Sequence, residues 1–435
     1  MKIVIIGAVA SGMSFAAKYR RLDPDAEIVV FDQDDEVSYA ACALPYYIAD
    51  HAVALEDLYA RSVEEFKKNG IIMHVNEEVT RVDVENKKVF AGEREESYDK
   101  LIIATGAEPV IPKLYGLDLE GVYTLKTPAQ AERIKQALEG KRRVHIVGGG
   151  YIGIEMAEAL LELGKDITLI QRPDRLLPRY DKEITDKIYD VLKEKMTIQF
   201  GESVQGFEGD THLQRIVTDK GSYDTDFVLL AVGFRPSTDL FKDVLELAPD
   251  GSIVTEPNCE TSVKDVYAIG DAATMVHRVS GKSVNIKLGT IANRQGRYLA
   301  EIIAGNREVF PGILGTNMIK VLDWEVAATG LNEIEAHELF DVETVFIENT
   351  LIPSYMDRDP KDNVVFCKMI KDTSSQRILG VQLMGKEGAA TRINTMAVAI
   401  HNNMSVQDLE YVDMGYHPSF QTTWDVTQIA AGQLD

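Results

Sequence analysis

Cys42 is the residue of this chain whose chemistry most needs an explanation. It lies in the segment SYAACALPYY, which runs from Ser38 to Tyr47, and the 435-residue chain has only two other cysteines, Cys259 and Cys367. A cysteine thiolate attacks disulfides and, as part of a disulfide, accepts electrons. Because no second thiol lies near Cys42 along the chain, we expect it to form a disulfide with another molecule.

The first 32 residues have the pattern of a strand, a glycine turn, a helix and a second strand. In KIVIIGAVASGM, Gly7 makes the tight turn and Gly12 allows close packing of the helix, and the second strand, EIVVFD, ends at Asp32. The helix N-terminus of such a unit faces a pyrophosphate, and an acid about 20 residues further on binds a ribose hydroxyl. Val9 replaces the middle glycine of the usual fingerprint, so the spacing of Asp32 supports the prediction of a dinucleotide site.

The same pattern recurs in RRVHIVGGGYIGIEMAEALLELGKDITLIQR, where Gly148, Gly150 and Gly153 complete the fingerprint. Two such units predict two bound dinucleotides. The second strand of this unit ends in Gln171 and Arg172, where a site for NADH usually has a carboxylate. An arginine pairs with a 2′-phosphate, so we expect NADPH to be used, with NADH also possible. In the alternative interpretation, Arg172 lies on a solvated edge.

Three further segments combine a buried strand with a glycine. LIIATGAEP contains Thr105 and Gly106, and LLAVGFRPST follows the second dinucleotide unit. Both segments are suited to a chain that crosses between domains. VYAIGDAA places Asp271 directly after a strand and at the start of a predicted helix. An aspartate there either caps the helix or accepts hydrogen bonds from a polyol.

The composition excludes several classes of function. The formal net charge is −23, which opposes binding to a phosphate backbone. No apolar run approaches the ~20 residues of a membrane helix, and the apolar stretch before Gly7 is too short for a signal peptide. Three cysteines make a disulfide framework unexpected. We therefore expect a cytoplasmic protein that binds neither nucleic acid nor membrane.

Taken in this order, the motifs resemble those of the FAD- and NAD(P)H-dependent pyridine nucleotide-disulfide oxidoreductases. The resemblance covers essentially the whole chain and implies an α/β fold with two Rossmann-like domains and a C-terminal α+β dimerisation domain. It implies an FAD domain at 1–110 and 242–315, an NAD(P)H domain at 111–241 and a dimerisation domain at 316–435. The implied FAD contacts are Gly7, Gly12, Asp32, Thr105, Gly106 and Asp271, and the implied NAD(P)H contacts are Gly148, Gly150, Gly153, Gln171 and Arg172.

The single cysteine places the chain in one branch of that family. Members such as glutathione reductase have a second cysteine where this chain has Tyr47, and a glutamate after the C-terminal His-Pro where this chain has His417 and then Thr422. SYxxCALPYY, GAVA at the first turn and MGKEGA near residue 385 resemble the coenzyme A-disulfide reductases. Two departures concern the substrate: Ala41 replaces a common asparagine, and PSYMDRDP has fewer tyrosines than is usual.

This second resemblance implies roles for further residues. Cys42 would alternate between a thiolate and a mixed disulfide with coenzyme A, and a helix beginning near Cys42 would lower the pKa of its thiol. Tyr355 and Tyr416 would donate protons to departing thiolates across the interface of a homodimer. The implied substrate contacts are Ser14, Lys18, Arg21, Ser38, Asn293 and Arg294. Lys18 and Arg21 also suit an ordinary solvated helix face, and no metal is implied.

Three alternatives remain open at this point. In an NADH oxidase or peroxidase, Cys42 would cycle through a sulfenic acid. In a CoA-persulfide reductase, the same site would act on a persulfide. In a third alternative, the protein would be a CoA-thiolated flavin sensor that acts through a protein partner.

Overall fold

Two parallel sheets and one antiparallel sheet, each of five strands, form the framework of the described residues. The structure is a computed structural model that describes residues 1–51, 53–356 and 359–435. Two residues of the PSYMDRDP segment, Asp357 and Arg358, therefore lie outside the described residues. The α/β fold expected from the sequence, with two Rossmann-like units and a C-terminal α+β region, is confirmed.

The first parallel sheet contains the first glycine turn. Its strands, in spatial order, are Val266–Ala268, Lys100–Ile103, Lys2–Ile6, Glu27–Phe31 and Ile71–His74. The central strand is buried from Ile3 to Ile6, as expected for a β-branched run covered on both faces. The strand Val266–Ala268 comes from a part of the chain that follows the second sheet, so the chain returns to the first unit before the C-terminal region.

The second parallel sheet repeats this arrangement. Its strands, in spatial order, are Thr197–Phe200, Asp166–Gln171, Arg143–Val147, Phe227–Leu230 and Val122–Tyr123. The strands Ala107–Pro109 and Phe234–Pro236 pair with each other in antiparallel register. They belong to the two segments that the sequence predicted to cross between domains.

The C-terminal sheet is antiparallel. Its strands, in spatial order, are Asn317–Val321, Trp324–Gly330, Ile378–Gly385, Val365–Asp372 and Val342–Asn349. The two long central strands, Val365–Asp372 and Ile378–Gly385, are buried along their whole length. Smaller sheets pair Val79–Asp83, Lys88–Ala91 and Arg94–Ser97; Val204–Gly209, Leu213–Thr218 and Ser222–Asp224; and Met275–Val276 with Ser283–Val284.

The helices, numbered along the chain, cover these sheets. They are α1 Ala10–Leu22, α2 Leu44–Ile48, α3 Val63–Lys68, α4 Pro128–Ala137, α5 Tyr151–Glu162, α6 Lys182–Leu192, α7 Gly289–Ile303, α8 Glu333–His337, α9 Ile393–His401, α10 Val406–Glu410 and α11 Val426–Leu434. Helices α1 and α7 pack against each other more extensively than any other described pair of helices. Among the described residues, no helix has the length and apolar character needed to cross a bilayer.

The prediction of a helix at Asp271 is wrong. The described chain forms a single 3-10 turn at Gly270–Ala272 and then the short hairpin that begins at Met275. The segment is instead tied to a neighbouring extended chain, because the N–H and the hydroxyl of Thr255 donate to the hydroxyl and the carbonyl oxygen of Thr274. The long helix of this region, α7, begins at Gly289.

Candidate active site

The first glycine turn is as close-packed as the sequence pattern requires. Gly7 has φ +107°, and a Cβ on it would lie 2.2 Å from the carbonyl oxygen of Ala104. A Cβ on Gly12 would lie 2.0 Å from the carbonyl oxygen of Gly7. Larger residues at either position would push the α1 N-terminus away from the sheet, so both glycines set the approach of the backbone to a pyrophosphate.

Asp32 lies at the end of the neighbouring strand and holds the same turn. Its two carboxylate oxygens accept the backbone N–H groups of Ala8, at 2.6 Å, and Asp34, at 3.0 Å. Burial raises the pKa of Asp32, although these two hydrogen bonds oppose the shift. A carboxylate has about four acceptor sites, so Asp32 retains capacity for a ribose hydroxyl.

The Asp271 turn is held by a buried glutamine that the sequence analysis did not identify. Gly270 has φ +71°, and its N–H donates to Oε1 of Gln295 at 2.7 Å. Burial raises the pKa of Asp271 to about 6. Gln295 lies on α7 with no motif to mark it, and only the packing of α7 against this turn reveals its contact.

Unpartnered polar groups test whether this region fits FAD. Oγ1 of Thr105 and Oδ1 of Asn285 are buried and have no hydrogen-bond partner among the described residues. Asn285 also donates to the carbonyl oxygen of Asp271 at 3.0 Å, which places its free oxygen beside the Asp271 turn. Gly106, next to Thr105, has φ +69° and open space where a Cβ would lie. The residues present therefore suit a polar ligand along this surface.

Lys126 is a second residue that the sequence analysis did not identify. Burial lowers the pKa of Lys126, while the carboxylates of Glu108, Asp32, Asp34 and Asp271 act in the opposite direction. The lysine therefore lies in the field of both acids predicted to contact FAD. Its positive charge is suited to pair with a pyrophosphate.

The second glycine turn reproduces the geometry of the first. Gly148 has φ +109°, and a Cβ on it would lie 2.4 Å from the carbonyl oxygen of Ala231. A Cβ on Gly153 would lie 2.0 Å from the carbonyl oxygen of Gly148. Gly150 caps α5 and has open space around it. The α5 N-terminus is therefore accessible to a second pyrophosphate.

The buried side chain of Gln171 is hydrogen-bonded within the protein, and its contact with NAD(P)H stays a prediction. Its Oε1 accepts the N–H of Gly149 at 2.8 Å and its Nε2 donates to the carbonyl oxygen of Arg175 at 3.0 Å. The buried amide thus joins the glycine turn to the loop that follows the strand. Arg172 is exposed on that loop and Arg175 is half-buried, so these cations remain available.

Cys42 lies at the edge of this framework and is open to solvent. The segment is attached to the first glycine turn, because the N–H of Ser38 donates to the carbonyl oxygen of Ala8 at 2.9 Å. The predicted helix at Cys42 is only partly present: Ala41–Ala43 form one 3-10 turn, and α2 begins two residues after the cysteine. Such a short helix has little dipole to offer a thiolate.

A different helix approaches the sulfur. Gly289 is the first residue of the 15-residue α7. A Cβ built on Gly289 would lie 4.0 Å from Sγ of Cys42. The N-terminal end of α7 therefore adjoins the thiol, and its free N–H groups favour a negative charge there.

The expected low pKa of Cys42 is not what the surrounding protein groups produce. Although Cys42 is exposed, neighbouring protein atoms partly desolvate its thiol and raise the pKa, and the carboxylates of Glu155 and Asp271 raise it further. Glu155 lies on α5, and burial followed by the charge of Glu158 raises its own pKa to about 7. The sulfur therefore lies between a helix N-terminus and two acids, which act on its charge in opposite directions.

The predicted substrate residues other than Ser38 lie on α1 and α7, which pack together. Asn293 donates to Oγ of Ser14 at 2.7 Å, and Lys18 forms an ion pair with Glu301 at 2.5 Å. We call the exposed surface along the contact of α1 and α7 the α1–α7 groove; Arg21 of α1 and Arg294 and Arg297 of α7 are exposed residues of these two helices. Arg297 was not predicted, although it follows Asn293 by one helical turn and lies on the same face.

The two predicted tyrosines lie together although they are 61 residues apart in sequence. Their hydroxyl groups are hydrogen-bonded at 2.6 Å. Tyr355 is 70% exposed and Tyr416 is 47% exposed. Thr422 occupies the position where a glutamate would orient the neighbouring His417. Its hydroxyl donates to the carbonyl oxygen of Trp424. The pair is thus placed on an exposed face, with Phe420 and Trp424 also exposed nearby in the chain.

Cys259 and Cys367 are buried and unpaired. Burial raises the pKa of Cys259 to about 12, and it also raises that of Cys367. Thiols in such surroundings are not nucleophiles at neutral pH. All three cysteines are described and none is in a disulfide, so Cys42 is the redox candidate.

Comparison with known proteins gives the same assignment along the whole chain. A model of the pyridine nucleotide-disulphide oxidoreductase family matches residues 1–296, and a model of the family's dimerisation domain matches residues 316–426. An NAD(P)H sulfur oxidoreductase (CoA-dependent) of Pyrococcus abyssi (strain GE5 / Orsay) is 38% identical over 440 residues, which cover 99% of this chain and 98% of that protein.

Two solved structures are also similar. Reduced Bacillus anthracis CoADR-RHD has a TM-score of 0.95 and 32% identity, and the match covers 100% of this chain and 80% of that chain. An engineered water-forming NADPH oxidase bound to NADPH has a TM-score of 0.95 and 30% identity, with 100% of this chain and 98% of that chain covered.

Two glycine turns on parallel sheets, an accessible cysteine and a C-terminal antiparallel sheet define a flavin- and nicotinamide-dependent oxidoreductase. The chain belongs to the pyridine nucleotide-disulphide oxidoreductase family, and it is an NAD(P)H-dependent flavoprotein. The family resemblance and the two cofactors expected from the sequence, FAD and NAD(P)H, are thereby confirmed.

Proposed function

We propose that the protein reduces coenzyme A disulfide to two coenzyme A thiols through a mixed disulfide between Cys42 and coenzyme A. The observation that carries the proposal is the course of the α1–α7 groove. Gly289 lies beside the Cys42 sulfur, and Asn293 and Arg297 follow on the same exposed face of α7. Eight residues of helix span about 12 Å. Arg297 is therefore far enough from the Cys42 sulfur to bind the phosphates of a ligand whose thiol is joined to them by a long arm.

Charge supports this substrate class. In a chain of net charge −23, the α1–α7 groove carries Lys18, Arg21, Arg294 and Arg297, against Glu301 in its ion pair with Lys18. Local cations act on an anion within a few ångströms despite the net field, which salt screens beyond ~10 Å. The Pyrococcus abyssi relative is described as CoA-dependent, which agrees with this interpretation of the groove.

The proposed cycle has two half-reactions. The Cys42 thiolate attacks one sulfur of coenzyme A disulfide, a Cys42–S–S–CoA bond forms, the substrate disulfide breaks, and one coenzyme A leaves as a thiolate that takes up a proton. Two electrons that originate in NAD(P)H then cleave the mixed disulfide, which releases the second coenzyme A and restores the Cys42 thiolate. FAD supplies the conversion between hydride transfer and sulfur reduction when it is bound.

The proton for each departing thiolate is assigned to the tyrosine pair. A phenol that donates to another hydroxyl is held in position for proton transfer. Tyr416 is the donor in this proposal and Tyr355 orients it, because their hydroxyl groups are hydrogen-bonded. Both belong to the C-terminal region, which is proposed as the dimerisation domain at 316–435, and each pair would serve Cys42 of the partner subunit in a homodimer.

The remaining predicted contacts keep their places in the proposal. The FAD domain is assigned to 1–110 and 242–315 and the NAD(P)H domain to 111–241. The residues proposed to hold FAD are Gly7, Gly12, Asp32, Thr105, Gly106 and Asp271, with Lys126 and Asn285 added; those for NAD(P)H are Gly148, Gly150, Gly153 and Arg172, with Gln171 acting through the loop. Ser14, Lys18, Arg21, Ser38, Asn293 and Arg294 are proposed to line the coenzyme A site, with Arg297 added.

NADPH is the proposed physiological donor. The substitutions in the NADPH-bound oxidase include an aspartate changed to alanine and the next residue changed to arginine. In this chain, the strand that follows α5 ends in an uncharged Gln171 and an exposed Arg172. An arginine without an adjacent carboxylate favours a 2′-phosphate.

The test uses the holoenzyme as isolated and a Cys42→Ser variant. We expect mass spectrometry of the parent to detect a coenzyme A adduct on Cys42 that dithiothreitol releases. We expect Cys42→Ser to keep its fold and its FAD absorbance and to lose NAD(P)H-dependent reduction of coenzyme A disulfide, since the nucleophile is removed. Cys367→Ser is the matched control and should retain activity. Near-normal turnover by Cys42→Ser would overturn the proposal.

Reduction of a sulfur chain or persulfide is a second candidate for the same site. The name of the Pyrococcus abyssi relative, a sulfur oxidoreductase, favours it, and the required attack by Cys42 on a sulfur–sulfur bond is the same chemistry. Parallel assays with coenzyme A disulfide, coenzyme A persulfide and hydrogen peroxide as sole acceptors separate the candidates. A dominant rate with peroxide would instead place the protein with the oxidases and peroxidases.

A further inference from the structure

We propose that Gly289 is a specificity-determining residue, because the space left by its missing side chain receives the group that the second sulfur of the Cys42 mixed disulfide carries. The inference rests on the proposed function and goes beyond it, since it identifies the flank of the cysteine from which a substituted sulfur enters. Gly289 belongs neither to a dinucleotide fingerprint nor to the segment that contains Cys42.

The local geometry is simple. A Cβ on Gly289 would meet one described heavy atom within 4 Å outside its own chain neighbours and helix, and that atom is Sγ of Cys42 at 4.0 Å. This separation is an ordinary van der Waals contact. The backbone of Gly289 does not have a positive φ, so alanine fits its conformation. A methyl group there would fill the flank of the sulfur without displacing the cysteine.

The other surroundings of the sulfur are less suitable for an anionic disulfide. The carboxylates of Glu155 and Asp271 act on the Cys42 thiol, and they repel a substrate that carries phosphates. The Gly289 flank is uncharged. It also leads directly into the α1–α7 groove, because Asn293 follows one turn later on the same face and is bonded to Ser14.

The steric consequence depends on the size of the incoming group. Formation of the mixed disulfide requires a second sulfur within about 2.05 Å of Sγ, followed by a carbon chain that leaves at a fixed dihedral angle. A methyl group at position 289 would compete for the volume of that carbon chain, whereas the second sulfur itself would still fit. Hydrogen peroxide and methyl methanethiosulfonate deliver much smaller groups and do not need the groove. Gly289 would therefore favour bulky disulfides over small oxidants.

The experiment measures how fast Cys42 of the reduced holoenzyme forms adducts in the parent, Gly289→Ala and Gly289→Val. The reagents are coenzyme A disulfide, 5,5′-dithiobis(2-nitrobenzoate) and methyl methanethiosulfonate, with adducts followed by mass spectrometry. We expect Gly289→Ala to slow the two bulky reagents by about tenfold or more and Gly289→Val to slow them further, with little change for methyl methanethiosulfonate. Gly221→Ala, in a turn of the second dinucleotide unit, is the matched control.

The outcomes separate the two proposals. If the bulky reagents react with Gly289→Ala at the parental rate, the inference is overturned. If methyl methanethiosulfonate slows as much as the bulky reagents, the effect is not one of size and the inference is also overturned. If the parent forms no adduct with coenzyme A disulfide but 5,5′-dithiobis(2-nitrobenzoate) shows the size effect, the inference stands and the proposed substrate fails.

Discussion

The three cysteines have the same side chain and very different surroundings. Cys42 is open to solvent, whereas Cys259 and Cys367 are buried. Full burial raises the pKa of Cys259 and Cys367, whereas at Cys42 a partial loss of hydration and two carboxylates raise it. Reactivity at Cys42 therefore follows from access to substrate and from the adjoining α7 N-terminus, rather than from a low pKa set by neighbouring protein side chains.

The pH dependence of Cys42 reactivity tests the role of Glu155. We expect Glu155→Gln to lower the pH at which half-maximal alkylation of Cys42 by iodoacetamide is reached, because a carboxylate that opposes the thiolate is removed. The parental Glu155 loses its proton around pH 7, so the two proteins should differ above that pH and converge below it. The measurement is the alkylation rate against pH in the holoenzyme.

The control for this prediction is Glu162→Gln, which makes the same chemical change further along α5. The Glu162 carboxylate is paired with His51, and it is not among the charges that act on Cys42. Its pH profile should match the parent. Identical profiles for the parent and Glu155→Gln would show that Glu155 has no electrostatic influence on the cysteine.

At the scale of elements, α7 connects features that are far apart in the sequence. Its first residue adjoins Cys42, Asn293 bonds to α1, and Gln295 holds the Gly270 turn. A Cβ on Gly296 would lie 2.2 Å from the carbonyl oxygen of Ser11, so α7 approaches α1 through a glycine. One helix thus aligns Cys42, the α1–α7 groove and the Asp271 turn.

The loop after the second dinucleotide strand sets the expected cofactor preference. We expect Arg172→Ala to lower kcat/KM for NADPH by about 10- to 100-fold, since a charge-assisted contact of about 1.5–3 kcal/mol is lost. The value for NADH should change little. Steady-state kinetics with both cofactors measures this, and Arg142→Ala, in the exposed ion pair with Asp166, is the control. A parental preference for NADH, or equal losses with both cofactors, would contradict the assignment.

At the scale of the whole molecule, polar contacts join the second dinucleotide unit to the C-terminal sheet. Lys368, whose side chain is 2% exposed, forms ion pairs with Glu183 of α6 at 2.6 Å and Glu333 of α8 at 2.7 Å. Nearby, the carboxylate of Asp181 accepts Nε2 of Gln382 at 2.7 Å. Burial raises the pKa of Asp181 to about 6. These groups fix the C-terminal sheet against the part of the chain that contains the second glycine turn.

Removal of the central cation tests this interface. Burial alone would lower the pKa of Lys368, but its hydrogen bonds to Glu183 and Glu333 outweigh burial and raise it. Burial would likewise raise the pKa of Glu183, but Lys368 outweighs that and lowers it. We expect Lys368→Met to reduce the free energy of unfolding by about 1–3 kcal/mol at neutral pH, a range discounted because both glutamates are partly exposed.

The sign of the pH dependence follows from these shifts. A lowered carboxyl pKa contributes stability above the unfolded value of 4.5, and this contribution is lost as the pH falls through the folded value. A raised lysine pKa contributes stability below the unfolded value of 10.5, and this contribution is lost as the pH rises through the higher folded value. Urea unfolding should therefore show the largest difference between parent and variant at neutral pH. Lys182→Met, in an exposed pair with Asp186, should cost almost nothing. A constant difference across pH would refute the electrostatic origin.

The sequence by itself determined the features that depend on local backbone geometry. Gly7 and Gly148 have positive φ values and adjoin carbonyl oxygens, so the fingerprints could be recognised from residue type and spacing. The two units, the family and the redox candidate Cys42 follow from such short-range patterns.

Tertiary structure decided what depends on distant parts of the chain. Gly289 is nearly 250 residues from Cys42 in the sequence. The helix whose N-terminus adjoins the Cys42 sulfur is α7, not α2, which directly follows the cysteine in the chain. The hydrogen bonds of Gln171 could not be predicted from the sequence, because only the fold brings Gly149 and Arg175 to its amide. Charges and hydrogen bonds act through space, and no local pattern records which residues will be neighbours.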